Sequence, residues 1–316
     1  MDWHKIFRSY TSLVAIVYIV IALQLYNHAL NSSRSLLSID LSLQTVDLII
    51  FSFDRPLQLY ALLESIEVHL TGIERTTVIY RSSNEHFNDA YVTVKQRFPA
   101  VIFLKQCTQP AYDFKPLILQ AVRSGKTPYI CFAVDDLVVK LSADLRMATQ
   151  ALCKYNAYGF FLRMGTHLTA CYTENQDQPL PSLTPLSDSM LSWTFSDGKC
   201  DWNYAHTVDM TIYRKQDLIT QLMTMDYANP NRLEGIWARY ARAQKNKKGI
   251  CFADSAVVNI PCNRVQEVCH NRHMNSWSTE QLLEKFNAGL KIDIHSLYGI
   301  KNESCHISYP LTFIAR

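Results

Sequence analysis

Two adjacent carboxylates, Asp135 and Asp136, are the residues of this 316-residue chain best placed to do chemistry. They end an apolar run, YICFAV from Tyr129 to Val134, and a second apolar run from Leu137 to Val139 follows at once. A short, nearly unbroken apolar run fits a strand buried on both faces of a sheet. Two ionised carboxylates at its end are costly unless hydrated, paired or bound to a cation. A divalent ion, manganese or magnesium, held together with a nucleotide diphosphate meets that need. The metal would bridge carboxylate and phosphate oxygens and offset charge on a leaving diphosphate. The alternative is that Asp135 or Asp136 caps the next element. Asp113 and Lys115 lie upstream, just before a predicted helix. The Lys115 amine either reaches a phosphate or a nucleobase edge, or is an ordinary solvated lysine.

Other chemically suggestive groups have two readings each. Trp193, Trp202, Tyr204 and His206 gather in one segment. They form either an aromatic platform on which a sugar ring could stack or a piece of core. The basic run from Arg239 to Lys248 is either a clamp on a diphosphate or a solvated helix end. Nine cysteines are scattered and odd in number, and none has zinc-ribbon or redox-dithiol spacing. Cys262, Cys269, His270 and His273 fit no common structural zinc site. The net charge of +3 is mild, with no dense basic patch beside a reader motif, which argues against nucleic acid as a partner.

These groups need elements to position them. Residues 46–53, VDLIIFSF, read as a buried strand broken by Asp54, Arg55 and Pro56. Leu59, Leu62, Leu63, Ile66 and Leu70 then recur at helical spacing. Strands are predicted at 76–80, 101–104 and 129–134, with helices at 84–98 and 116–123, the latter opening on Pro116. Strands alternating with helices imply an α/β domain with a mostly parallel sheet. Ligands of such sheets bind beyond the carboxyl ends of the strands, where Asp54 and Asp135–Asp136 fall. Downstream, a helix is expected at 143–155, strands at 158–164 and 208–213, and helices at 215–225 and 232–243. The proline-bearing stretch 174–188 reads as a loop.

Residues 11–26 are uncharged and apolar, and Lys5 and Arg8 precede them. That pattern fits a retained signal anchor, though the run is short for a membrane span. The expected division is an anchor over 1–28, a stem linker over 29–45 and a catalytic domain over 46–316. Within the domain, the regular strand–helix alternation divides 46–141 from a less regular 142–316. The basic flank would stay cytosolic. The expectation is thus a single-pass membrane protein, with a lumenal domain of Golgi type in a eukaryote, or at the inner membrane in a bacterium.

The stretch from Ile49 through Phe53, Asp54, Arg55 and Pro56 to the helix at Leu62–Ile66 resembles the start of GT-A-fold glycosyltransferases. In many of them a first strand ends in a polar residue, Arg and Pro, then a helix. Asp135–Asp136 is similar to that fold's Asp-x-Asp motif, with Leu137 where the second Asp would fall, so either carboxylate could ligate. The resemblance covers residues 46–141 well and the rest weakly, and it implies that 46–141 binds the nucleotide-sugar and 142–316 the acceptor. It implies a GT-A-like, Rossmann-like α/β domain that moves a sugar from a nucleotide-sugar donor to a glycan, lipid or protein acceptor. It implies that Phe53, Asp54 and Arg55 hold the nucleotide together with Asp135. It further implies a base on the acceptor hydroxyl at a later helix start, which matches Glu234 after Asn229-Pro230, and a late His ligand, which matches His306, with His295 as alternative. Glu234 could equally favour its helix N-terminus as a charge. Asp209 and Asp226 are the next candidates for the base. An in-line attack assisted by Glu234 would invert the anomeric configuration.

Two other classes remain in view. A nucleotidyltransferase usually carries a Gly-rich phosphate loop after its first strand, and residues 53–56 contain no glycine. A membrane-anchored binding module could keep the fold without the chemistry.

Overall fold

The computed structural model describes residues 44–107, 109–263, 265 and 277–316. The anchor expected over residues 1–28, nearly all of the stem, and Cys269, His270 and His273 lie outside the described residues. Among the described residues no helix is long and apolar enough to cross a membrane. Gln44 to Arg316 form one compact unit.

Its centre is a nine-stranded sheet. In chain order the strands are β1 (Val46–Phe53), β2 (Ile73–Arg81), β3 (Ile102–Lys105), β4 (Tyr129–Val134), β5 (Gly159–Phe161), β6 (Thr184–Ser187), β7 (Met190–Thr194), β8 (Thr211–Arg214) and β9 (Lys248–Phe252). They lie side by side as β6-β7-β9-β5-β8-β4-β1-β2-β3. β4, β1, β2 and β3 are all parallel, with Ile49 opposite both Thr77 and Phe132. β8 enters antiparallel between β4 and β5, and β7 is antiparallel to both its neighbours. Since β9 runs parallel to β5, only β7 and β8 oppose the common strand direction.

Period-two alternation divides each central strand between two apolar layers. Val46, Leu48 and Ile50 face one layer, and Ile49 and Phe51 the other. Along β4, Cys131 and Ala133 face the first layer, and Ile130 and Phe132 the second. Burial on both faces accounts for the unbroken apolar runs in the sequence. The first layer is covered by α1 (Pro56–His69), α2 (Glu85–Arg97) and α7 (Thr279–Asn287), through Leu57, Leu62, Phe87 and Phe286 among others. The second is covered by α3 (Pro110–Ser124), α5 (Lys215–Thr224) and α6 (Pro230–Trp237). A further helix, α4 (Leu145–Lys154), is capped by the Asp144 side chain, which accepts from Arg146 N–H at 3.0 Å.

Several boundaries differ from expectation. α3 starts at Pro110 and carries Pro116 inside it. Proline removes one donor from a helix, but Phe114 and Ile118 on either side are fully buried, and their packing holds the helix through it. The proline-bearing stretch 174–188 contains β6, whose Pro185 is tolerated because β6 is an edge strand. The helix expected to run to 243 stops at Trp237 and tightens into a 3-10 helix over Ala238–Gln244.

Candidate active site

The turn after β1 is built to aim Arg55. Asp54 adopts a left-handed backbone (φ 52°), which Asp tolerates better than most residues. Its carboxylate accepts from the Ser83 N–H at 2.8 Å and so ties the turn to the end of β2. Arg55 occupies the N-cap of α1 with no side-chain cap, and Pro56 opens the helix. The guanidinium turns instead to the end of β4. Its Nη1 lies 3.0 Å from Asp135 Oδ1 and 3.0 Å from Asp136 Oδ2. Nη2 donates to the Asn263 carbonyl. Asp135 also accepts from Phe53 N–H at 3.2 Å. Burial raises the Asp135 carboxyl to about 6, against the lowering pull of Arg55. The two carboxylates that the sequence singles out therefore already share one buried cation.

These groups line one large cavity of about 1060 Å³ at the carboxyl ends of β1, β2 and β4. Phe53, Arg55, Asp135, Asp136, Glu234 and His306 all line it. Glu234 lies in α6, whose N-cap Asn229 accepts from Arg232 N–H at 2.9 Å. The cap is thus Asn229, and the Glu234 carboxylate accepts from Val208 N–H at 3.1 Å, from a different element. Burial, and next the charge of Asp209, push Glu234 up to about 7. Asp209 is raised as well, first by its own burial. Arg163, almost fully buried just past the end of β5, holds Asp209 at 3.3 Å and Asp201 at 3.5 Å. His306 sits on a bridge to Asn259, which pairs with Leu137 next to Asp136. Its Nε2 is 3.7 Å from Asp209 Oδ2.

Not every expected residue reaches the cavity. Lys115 donates to the Met225 carbonyl at 2.6 Å, and Asp54 serves the turn; neither lines the cavity. Asp113 accepts from Gln106 Nε2 at 3.3 Å, and Gln106 is the cavity residue of that pair. His295 packs against Tyr298 away from the cavity. Asp226 is exposed and does not line it. Of the aromatic group, Trp193, Trp202 and His206 are core: the Trp193 indole donates to the Trp202 carbonyl at 2.7 Å, and His206 stacks on Trp237. Only Tyr204 of that group faces the cavity. The basic run 239–248 does not line it. Among the described residues no three His, Cys, Asp or Glu side chains are gathered as a metal-ligating set.

Arg163 and Asp201 carry no motif or spacing in the sequence that marks them as site residues. A faint signal exists for Arg163, the only charged residue between Ala157 and Met164.

No family model matches the chain. It is 29% identical over 258 residues to the bifunctional glycosyltransferase pgtA of Dictyostelium discoideum, covering 72% of this chain and 33% of that protein. Among solved structures, S. aureus TarS 1-349 in complex with UDP is similar at 11% identity and TM-score 0.46, covering 67% of this chain and 59% of that one. The same protein in complex with UDP-GlcNAc is similar at 12% identity and TM-score 0.43, covering 74% and 61%. The chain spans about a third of the length of the curated relative it matches. It is a sequence relative of a glycosyltransferase, matched over one segment of that longer protein.

Proposed function

We propose that this domain is a GT-A-like transferase that moves a sugar from a nucleotide-sugar to an acceptor hydroxyl with inversion. The observation that carries this reading is one cavity lined both by a carboxylate pair at strand ends and by a separate raised carboxyl. Asp135 and Asp136 share Arg55 beside the ends of parallel strands. Glu234 is the carboxyl raised to about 7. Strand ends are where open α/β sheets bind nucleotides. A carboxyl tuned near neutrality suits a general base. Glu234 would take the acceptor proton as the acceptor oxygen forms its bond to the anomeric carbon. The bond from that carbon to the diphosphate oxygen breaks, and its electron pair leaves with the diphosphate.

A divalent cation fits the carboxylate pair by charge. Asp135 and Asp136 have a single guanidinium between them, and a diphosphate brings further negative charge. Asp136 and His306 would hold the ion, which when bound would offset charge on the diphosphate. Asp136→Asn, which leaves Arg55 paired with Asp135, should then abolish metal-dependent donor binding at a smaller cost in melting temperature than losing both partners would bring. Calorimetry against a panel of nucleotide-sugars, with and without manganese, tests this. Metal-independent binding of equal strength in both proteins would exclude the metal role.

The base role has a pH signature. Only ionised Glu234 can accept a proton, and burial favours its neutral form. The transfer kcat/KM should therefore fall as pH drops through about 7. An acidic limb near pH 4–5, about that of an unperturbed carboxyl, would point to a different base.

A further inference from the structure

Two thiols that line the cavity have no part in the chemistry above. Cys171 ends the first strand of a small hairpin, in which Ala170–Cys171 pairs antiparallel with Gln176–Asp177. Cys200 opens the 3-10 helix Cys200–Asn203 on a separate stretch of chain. Both line the cavity, and both are free thiols in this structure. Glutamines join the two elements. Gln176, opposite Cys171 in the register, donates from Nε2 to Cys200 Sγ at 3.0 Å. Gln178, just past the hairpin, accepts from Asp201 N–H at 2.8 Å. The Cys171 thiol itself lies within hydrogen-bonding reach of the Cys200 thiol.

Cys200 also holds a left-handed backbone (φ 50°), a conformation that few residues other than glycine, asparagine and aspartate take up. Such an outlier persists where its surroundings fix it. Cys305 is another thiol near Cys171, but it is fully buried and engaged by the Arg163 carbonyl and Met164 Sδ. Cys200 is only half-buried. We propose that Cys171 and Cys200 form a disulfide that staples the hairpin to the 3-10 helix at the cavity wall. A small-molecule disulfide, such as oxidised glutathione, is the oxidant. Burial pushes the Cys171 thiol up to about 11, so Cys200 opens the exchange. Its thiolate attacks the external disulfide, forms a mixed disulfide and releases one thiolate. The Cys171 sulfur then attacks the Cys200 sulfur and releases the second. The protons of Cys200 and Cys171 end on the two released thiolates. Two protein thiols and one external disulfide thus become one protein disulfide and two external thiols. The intervening chain carries β6 and β7, so the bond also ties down that edge of the sheet.

The test uses the full chain, equilibrated with oxidised glutathione or with dithiothreitol and then alkylated. Trypsin cuts after Arg163, Lys199 and Arg214, which places the two cysteines on separate peptides, 164–199 and 200–214. Mass spectrometry without reduction should find these peptides joined in the oxidised sample and separate in the reduced one. The oxidised protein should melt roughly 4–15 °C higher, the shift expected when a disulfide closes a loop in a domain of this size. Cys200→Ser, at a half-buried position, should fold, lack the joined peptides and melt alike under both conditions. Cys171→Ala checks the same from the buried side. Peptides that stay separate in the oxidised sample overturn the proposal, as does Cys171 joined to Cys305 instead. Joined peptides without a rise in Tm, or a rise that survives in Cys200→Ser, overturn the stapling role.

Discussion

Glu234→Gln is expected to reduce sugar transfer by roughly a hundred- to ten-thousand-fold, the usual contribution of a positioned general base. Donor affinity and melting temperature should barely change. The variant keeps the side chain's size and an oxygen that can still accept from Val208 N–H. It also removes a carboxyl that lies close to the charge of Asp209. A structural role predicts the opposite pattern. Asn229 rather than Glu234 caps α6, so the structural role in question is the buried acceptance from Val208 N–H and the charge contact with Arg163. If that is its role, the melting temperature falls while transfer persists. Steady-state kinetics with product analysis decides between them. Transfer surviving within a few-fold would remove Glu234 as the base. Asp209 would then be next, since it lines the same cavity and is raised by burial, whereas Asp226 is exposed.

Local features of this site were legible in the sequence. Asp135–Asp136 stood out because a buried strand cannot end in two carboxylates without partners, and that strain is visible in eight consecutive residues. Glu234 was marked by the resemblance, which implies an acidic residue at a later helix start, and Asn229-Pro230 supplies a helix-start signal just before it. The central strands were equally legible, since burial on both faces leaves continuous apolar runs. What depends on partners distant in sequence was not legible. Arg163, Asp201 and Asp209 form one ion-pair cluster only because β8 inserts antiparallel between β4 and β5. Asp135 and Asp136 also have a cationic partner within the chain, Arg55, whose pairing with them could not be read from a turn sequence alone. The aromatic segment misled because Trp and His suit both a core and a sugar platform. Only burial separates the two, and it leaves Tyr204 as the cavity member.

Arg163→Met should destabilise the domain by about 3–5 kcal/mol, the usual cost of breaking a buried ion pair by removing one partner. For a domain of this size that corresponds to roughly 6–20 °C in Tm. The guanidinium is 3% exposed and is the common cation for Asp201 and Asp209. It also lowers the carboxyls of Asp209 and Glu234 against the upward push of burial. Without it, those carboxyls in the folded state should shift further upward, while the unfolded chain keeps ordinary values. The folded variant would then bind more protons than the unfolded one between about pH 4 and the raised values. Stability must fall as pH rises wherever the folded state holds the excess protons. The variant should therefore lose more stability at pH 8 than at pH 5, relative to the unaltered protein. Arg163→Lys keeps the charge but not the two-sided fork, and should fall between the two. Denaturant melts at both pH values check this. A loss of equal size at pH 5 and pH 8 would show that Arg163 acts through packing of its stem rather than through its charge.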